Sequence, residues 1–205
     1  MFITFEGLDF CGKSTQVNLL EQYLSAQNKK VKLIREPGGT SISEKIRGVL
    51  LDKKNCEMFI ETEILLFSAA RSQLVREIIR PFLKENYYVI SDRFHDSLTA
   101  YQGFGRSIPL DFVQTINSFA IGETIPDITF FIDLPVEETE KRKALRSQGD
   151  LDRIEVSKNN FYERVREGYL YLAEREKRFK IIDGMLSIQE IHEIIKVEID
   201  KMEML

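Results

Sequence analysis

The stretch GLDFCGKS at residues 7–14 fits the phosphate-binding pattern G-x-x-x-x-G-K-[ST] at every fixed position. An apolar stretch at residues 1–5 predicts a strand before it, and Val17, Leu20 and Leu24 predict an amphipathic helix after it. In this arrangement the glycines let backbone N–H groups converge on phosphate oxygens, and the start of the helix adds positive potential. The alternative is an ordinary glycine turn between a strand and a helix. The complete motif in this context favours the phosphate loop.

The residues of this loop have different expected roles. Lys13 is expected to reach the β- and γ-phosphates of ATP, and the hydroxyl of Ser14 is expected to ligate Mg²⁺. Asp9 is unexpected, because a carboxylate opposes the binding of an anion. It either points away from the phosphates or binds something else. The predicted ATP-binding residues of the loop are Gly7, Leu8, Phe10, Cys11, Gly12, Lys13, Ser14 and Thr15.

Short apolar stretches alternate with longer helical patterns along the chain, which is typical of βαβ units. The apolar stretches are nearly continuous in character, as expected of strands that helices cover on both faces. The sequence therefore predicts the α/β class, with a five-stranded parallel sheet between two layers of helices. The predicted strands are residues 1–5, Val31–Arg35, residues 87–91, Ile128–Asp133 and Phe179–Asp183.

Three helices after the first one are also predicted. Residues 61–84 form a long helical pattern that ends near Pro81, and residues 155–178 form another. Ser41 and Glu44 have the spacing of a capping box at the start of a shorter helix.

The composition is that of a globular protein, with 43% hydrophobic and 30% charged residues. A formal net charge of −4 argues against general binding to nucleic acid or to an anionic membrane. The N-terminus has no basic leader, and no apolar run approaches the roughly 18 residues of a membrane-spanning helix. Cys11 and Cys56 have neither metal-ligand spacing nor a disulfide framework. We therefore expect a cytoplasmic protein with a single domain over residues 1–205.

The phosphate loop does not by itself separate kinases from GTPases and ATPases. A GTPase would need an Asn-Lys-x-Asp sequence to bind guanine, and the nearest candidate, NKKV at residues 28–31, lacks the Asp. A small kinase is therefore favoured. Two alternatives stay open: a related kinase for another nucleoside or nucleotide, and a nucleotide-binding switch or scaffold without turnover.

Five further stretches accompany the phosphate loop: REPGGT (35–40), FSAARSQ (67–73), SDRFHDS (91–97), AYQGFGR (100–106) and LDRIE (151–155). Together, and in this order, they closely resemble the thymidylate kinase family over residues 1 to about 184. The resemblance implies direct in-line phosphoryl transfer from ATP to dTMP, with Mg²⁺ as cofactor, in the synthesis of dTTP. It also implies a P-loop kinase fold, a lid at about residues 141–153 and a homodimer.

The resemblance further implies an acceptor site. Arg93 would lie between the donor and acceptor phosphates, and Asp92 would organise Mg²⁺ with Ser14. Both residues follow a predicted strand, at the sheet edge where open α/β folds bind ligands. The catalytic residues implied in this way are Lys13, Asp92 and Arg93. The implied dTMP-binding residues are Asp9, Glu36, Pro37, Arg47, Phe67, Arg71, Arg93, Ser97, Tyr101 and Gln102.

Individual roles in that site also come from the family. Phe67 would stack on thymine, Arg71 would donate to a base carbonyl, and Tyr101 would exclude a ribose hydroxyl. Arg47 would hold the acceptor phosphate, and Asp9 would accept a hydrogen bond from the 3′-hydroxyl. The plain alternatives are that Phe67 belongs to the hydrophobic core and that Arg47 is a solvated surface charge.

Glu36 is best explained as the partner of an arginine. The acceptor phosphate needs no general base, because its second pKa is roughly 6 and it is largely dianionic at neutral pH. His95 and His192 are therefore predicted to be structural. Cys11 is either a reactive thiol or simply the replacement of a small residue.

The charged segment after the fourth predicted strand carries Arg142, Arg146 and Arg153. A solvated helix face is the plain interpretation, whereas the resemblance implies a lid over ATP. Family members place a catalytic arginine either in the phosphate loop or in the lid, and the loop position here is Phe10. The lid is thus expected to supply this arginine, with Arg146 the first candidate and Arg153 the second. Arg142 is expected to flank the adenine.

Overall fold

The computed structural model of the protein describes residues 1–145, 151–154 and 159–204. The predicted catalytic residue Arg146, with part of the predicted lid, lies outside the described residues. All the strands that are described belong to one parallel sheet with the order β2-β3-β1-β4-β5. They are β1 (Phe2–Glu6), β2 (Val31–Arg35), β3 (Tyr88–Asp92), β4 (Ile128–Asp133) and β5 (Phe179–Asp183).

The predicted sheet is confirmed. Three strands have the predicted bounds, and β1 and β3 each lie one residue further along the chain than predicted. β1 is the central strand and is buried along its whole length. Its neighbours are β3 and β4, which explains the continuous apolar character of all three.

Helices connect the strands and cover the sheet. The α-helices in the described residues are α1 (Lys13–Ala26), α2 (Ser41–Leu51), α3 (Ile60–Leu74), α4 (Arg80–Lys84), α5 (His95–Leu98), α6 (Leu110–Ile121), α7 (Val136–Ala144), α8 (Asn159–Arg175) and α9 (Ile188–Glu203). Two π-helical segments, Val75–Ile79 and Thr99–Gly105, continue α3 and α5.

Alternation along the strands divides the core between the two faces of the sheet. Ile3 and Phe5 of β1 contribute to a cluster with Leu20 of α1 and Ile195 of α9. Phe131 of β4 faces the other side and packs in a cluster with residues of α8. Both faces are therefore covered, as the sequence predicts.

The helical bounds differ from the predictions in two places. The pattern at residues 61–84 is helical throughout but includes the π-helical segment Val75–Ile79, and Pro81 stands two residues after it, within α4. The helix predicted to reach residue 178 ends at Arg175. Throughout the described part of the chain, no helix has both the length and the apolar character to cross a membrane.

The capping box predicted at Ser41 is wrong by one residue. The N-cap of α2 is Thr40, whose hydroxyl oxygen accepts a hydrogen bond from the Ser43 N–H at 3.0 Å. Glu44 accepts from the Gly39 N–H at 2.7 Å. The cap moves because Thr40, and not Ser41, has the extended backbone from which a side chain can turn back on the helix.

Candidate active site

The carboxyl ends of β1, β2 and β3 open on the main cavity, whose volume is about 520 Å³. These strands are parallel neighbours in the sheet, so the segments that follow them meet at one edge. The phosphate loop follows β1, the REPGGT loop follows β2, and Arg93 follows β3. The topology thus brings together motifs that are distant in sequence.

The phosphate loop turns sharply into α1. Phe10 (φ 63°) and Gly12 (φ 101°) both have left-handed backbone, and glycine suits the second position because residues with a side chain rarely adopt that angle. Lys13 begins α1, and its Nζ donates to the carbonyl oxygens of Gly7 (3.2 Å) and Leu8 (2.7 Å). The ammonium group is therefore held within the loop.

Ser14 and Asp92 meet at this edge of the sheet. Ser14 Oγ donates to Asp92 Oδ2 at 2.6 Å. A hydroxyl and a carboxylate are oxygen ligands of the kind that Mg²⁺ prefers, with its other positions taken by water and phosphate oxygens. Among the described residues, no cluster of three or more His, Cys, Asp or Glu side chains could hold a metal alone. The pair fits a magnesium ion that is shared with a nucleotide.

Arg93 is the central cation of the cavity. Its backbone is left-handed (φ 68°), which is rare for a residue with a side chain and marks a strained position. Its Nη1 donates to the Gly7 carbonyl at 2.9 Å, and its Nη2 donates to Asp9 Oδ1 at 2.6 Å. The guanidinium group is thus fixed against the phosphate loop.

Asp9 is the partner of this arginine. Its second oxygen accepts a hydrogen bond from the Tyr101 hydroxyl at 3.1 Å. Burial alone would raise the pKa of Asp9, but the charges of Arg93 and Lys13 hold that pKa below its usual value. The acid stays ionised in an anion-binding loop because neighbouring cations compensate its charge.

Two residues beneath Arg93, Glu6 and Tyr169, were missed from the sequence. The Tyr169 hydroxyl donates to Glu6 Oε2 at 2.8 Å and accepts from Arg93 Nη1 at 3.1 Å. Glu6 also accepts from the Ser97 hydroxyl at 2.6 Å. Burial and the charge of Asp96 raise the pKa of Glu6 to about 7, although Arg93 lowers it. A glutamate at the end of an otherwise apolar strand was the available signal for this network.

Arg71 and Glu36 form a buried ion pair on the other side of the cavity. Arg71 Nε donates to Glu36 Oε2 at 2.7 Å, and its Nη1 and Nη2 donate at 3.2 Å to Asn117 Oδ1 and to the Phe94 carbonyl. Burial raises the pKa of Glu36 despite the charge of Arg71. The prediction that Glu36 pairs with an arginine is confirmed.

Phe67 and Arg71 of α3 line the same cavity as Tyr101 and Gln102 of the second π-helical segment. Arg47 also lines it, and its Nη1 donates to the Pro37 carbonyl at 2.8 Å. An aromatic ring, two arginines and an amide therefore share one space with the phosphate loop.

Comparison with known proteins shows which family has this combination of a phosphate loop and acceptor-site residues. A family model described as thymidylate kinase matches residues 5–195. The chain belongs to the thymidylate kinase family. It is 48% identical to a thymidylate kinase of Kosmotoga olearia over 199 residues, which cover 97% of this chain and 94% of the relative. It is also 48% identical to one of Thermosipho africanus over 201 residues, 98% of each chain, and 46% identical to one of Chlorobaculum tepidum over 209 residues, 98% and 97% of the two chains.

Most of the residues that the thymidylate kinase resemblance implicates line the main cavity. They are Asp9, Phe10, Gly12, Lys13, Ser14, Thr15, Glu36, Pro37, Arg47, Phe67, Arg71, Asp92, Arg93, Ser97, Tyr101, Gln102 and Arg142. Gly7, Leu8 and Cys11 are not part of this lining. Leu8 and Cys11 are buried in the core, which favours Cys11 as the replacement of a small residue over a reactive thiol.

The two described arginines of the predicted lid, Arg142 and Arg153, lie at different cavities. Arg142 lines the main cavity, and its Nη1 donates to the Phe10 carbonyl at 3.5 Å. Arg153 faces a second cavity, of about 300 Å³, where its Nη2 donates to Glu63 Oε2 at 2.5 Å and its Nε donates to the Leu50 carbonyl at 2.7 Å. The structure therefore does not bring Arg153 to the phosphate loop.

The environment of His95 agrees with a structural role. Burial lowers the pKa of His95 to about 4, although Asp96 opposes this effect, so the ring is neutral at physiological pH. Asn117 donates to the His95 carbonyl at 3.1 Å. His192 lies far along the chain on α9, edge-on to the ring of Tyr23.

Proposed function

We propose that the protein transfers the γ-phosphoryl group of ATP to dTMP and produces ADP and dTDP for dTTP synthesis in the cytoplasm. The observation that carries this proposal is the main cavity, which joins the phosphate loop to the acceptor residues Phe67, Arg71, Tyr101 and Gln102. Membership of the thymidylate kinase family supports dTMP as the acceptor.

The proposed mechanism depends on alignment and charge compensation. Lys13 binds the β- and γ-phosphates, and Arg93 lies between the two substrates, where it offsets the charge of the phosphoryl group in transit. Mg²⁺ held by Ser14 and Asp92 would neutralise phosphate charge when bound. An oxygen of the dTMP phosphate attacks the γ-phosphorus in line, and the bond from that phosphorus to the β,γ-bridging oxygen breaks. The acceptor dianion needs no general base.

The acceptor residues have complementary roles in this proposal. Phe67 stacks on thymine, and Arg71, which Glu36 and Asn117 hold in place, donates to a base carbonyl. Asp9 accepts from the 3′-hydroxyl, and Tyr101 lies where a 2′-hydroxyl would collide. Arg47 and the REPGGT loop bind the acceptor phosphate.

We keep residues 141–153 as the lid and Arg146 as the arginine that completes the donor site. Phe10 in the phosphate loop is uncharged, so a further cation must come from elsewhere in the chain. The contacts of Arg153 with Glu63 and Leu50 make it the weaker candidate. Arg142, in contact with Phe10, is suited to flank the adenine.

An assay of ADP release tests the proposed function. Purified protein is supplied with ATP and Mg²⁺, and with dTMP, dUMP, dCMP, AMP or thymidine in turn. We expect the highest kcat/KM with dTMP and loss of turnover when the metal is chelated. A higher kcat/KM for another acceptor would identify a related kinase, and the absence of turnover with every acceptor would identify a switch or scaffold.

We also propose a homodimer through the face formed by α3 and α6. Exposed apolar side chains support this assignment, since Leu65 is 56% exposed, Phe112 49% and Phe119 82%. Large apolar side chains that are exposed on one face are typical of protein–protein contacts. Sedimentation analysis of the wild type and of Phe119→Glu tests it: a monomeric wild type would contradict the proposal.

A further inference from the structure

A buried carboxylate fixes the orientation of the amide that faces the base. Gln102 is 2% exposed, lines the main cavity and donates through Nε2 to Glu63 Oε1 at 3.1 Å. Glu63, on α3, is 1% exposed and lines the second cavity rather than the main one. It therefore touches Gln102 from behind, without reaching a ligand in the main cavity.

Glu63 is held in its ionised form. Its Oε1 also accepts from Arg106 Nε at 3.2 Å, and its Oε2 accepts from Arg153 Nη2 at 2.5 Å. Burial alone would raise the pKa of Glu63, but Arg106, Gln102 and Arg153 bring it below its usual value. An ionised carboxylate accepts hydrogen bonds and cannot donate one.

This charge decides which way the amide points. A rotation of Gln102 by half a turn would set its carbonyl oxygen against a carboxylate oxygen, with no proton between them. The nitrogen must therefore face Glu63, and the Oε1 atom is left to face the ligand as an acceptor. An acceptor at this point matches the N3–H of thymine or uracil, whereas cytosine has a lone pair on N3.

We infer that Glu63 is a positioning residue for base selection, which fixes the Gln102 amide so that the site accepts an imide base and rejects cytosine. The inference rests on the proposed function, because it needs a pyrimidine nucleotide as the acceptor. It assigns to Glu63 no contact with the substrate. Its effect passes through Gln102 alone.

The test compares Glu63→Gln with the wild type for dTMP and dCMP. A glutamine side chain in place of Glu63 can donate or accept, so Gln102 is free to adopt both orientations. We expect the ratio of kcat/KM for dTMP to kcat/KM for dCMP to fall by about 5-fold to 150-fold, the range expected when one buried polar group loses its hydrogen-bond partner. An equal loss for both nucleotides would mean a merely structural role and would overturn the inference.

Arg106→Lys is the matched control. It keeps the positive charge that holds Glu63 ionised and leaves the bond from Glu63 to Gln102, so the ratio is expected to stay at the wild-type value. A fall in the ratio as large as that of Glu63→Gln would overturn the inference. A second check adds Glu63→Gln to Gln102→Leu: no further change in the ratio is expected, and an additional fall would contradict action through Gln102.

Two controls keep these outcomes separate from folding and from the proposed function. Thermal unfolding of each variant shows that it is folded. If the Glu63→Gln variant does not fold, Glu63→Asp is used instead: it keeps the negative charge but draws the carboxylate oxygen away from Gln102 and Arg106, and an unchanged ratio in that variant would overturn the inference. Wild type without dTMP turnover refutes the proposed function, whereas wild-type turnover with an unchanged ratio in the variants refutes only the role of Glu63.

Discussion

Replacement of Asp9 by asparagine removes one charge from the centre of the candidate site and keeps the shape of the side chain. The carboxylate pairs with Arg93 at 2.6 Å and accepts from the Tyr101 hydroxyl at 3.1 Å. In the proposed function it also accepts from the 3′-hydroxyl of dTMP. The Asp9→Asn side chain would keep one acceptor oxygen but would present an amide group to Arg93 or to the substrate.

The size of the effect follows from the burial of the pair. A surface ion pair is worth about 0–1 kcal/mol, and breaking a fully buried one costs about 3–5 kcal/mol. Arg93 and Asp9 are 15% and 20% exposed, so the expected loss is intermediate, about 2–3 kcal/mol. If the loss falls on the transition state, kcat/KM for dTMP decreases by about 30-fold to 160-fold.

The assay is steady-state ADP release with dTMP varied at saturating ATP, and then with ATP varied at saturating dTMP. We expect the change in kcat/KM for dTMP and an unchanged KM for ATP, because Asp9 faces Arg93 and Tyr101. Asp111→Asn, which neutralises an exposed carboxylate on α6, serves as the matched control and should behave as wild type. An unchanged kcat/KM for dTMP, or a rise in KM for ATP as large as the loss in kcat/KM for dTMP, would refute the reasoning.

Three further predictions concern the lid, the pH dependence of stability and the packing of α8. Arg146→Ala should lower kcat by about 10³-fold or more with little change in the affinity for dTMP, and an unaltered kcat would remove Arg146 from the mechanism. Glu6 has a folded-state pKa of about 7 against an ordinary value of 4.5, so the folded state binds the extra proton between these values, and the contribution of Glu6 to the free energy of unfolding should fall by up to about 3 kcal/mol as the pH rises from 4.5 through 7. His95, whose folded-state pKa is about 4, acts in the opposite direction between pH 4 and 6.5, so the test is the difference between the wild type and Glu6→Gln. In denaturant titrations the stability of the variant should rise relative to that of the wild type across this range; an equal slope in the two proteins would contradict the assignment to Glu6. Gly105→Ala should lower the unfolding free energy by about 1–3 kcal/mol in urea titrations. The reason is that the added Cβ would lie 2.6 Å from a ring carbon of Phe161 and 2.9 Å from Val165, both on α8. A variant as stable as the wild type would contradict this prediction and would mean that α8 shifts to accommodate the methyl group.

The sequence was sufficient to predict those elements that depend only on residues close together in the chain. The phosphate loop needs glycine at Gly12, a lysine and a hydroxyl at fixed spacing, and apolar strands in a parallel sheet read as continuous runs. The sheet and the phosphate-loop residues could therefore be predicted from local signals, whereas the residues of the acceptor site came from the resemblance to the thymidylate kinase family. The N-cap at Thr40 was missed because Thr40 and Ser41 are both good capping residues, and only the backbone angles distinguish them.

The sequence by itself determined the fold class, the phosphate loop and the type of residue that each segment brings to the candidate site. Only the tertiary structure decided which partner each buried charge has: Arg93 for Asp9, Arg71 for Glu36, and Arg153 with the Gln102 amide for Glu63. These partners are far apart along the chain. Burial requires each charge to have a partner, because an unpaired charge in the interior costs roughly several kcal/mol. The sequence does not show which residues are paired, because the partners are far apart along the chain. The fold brings them into contact.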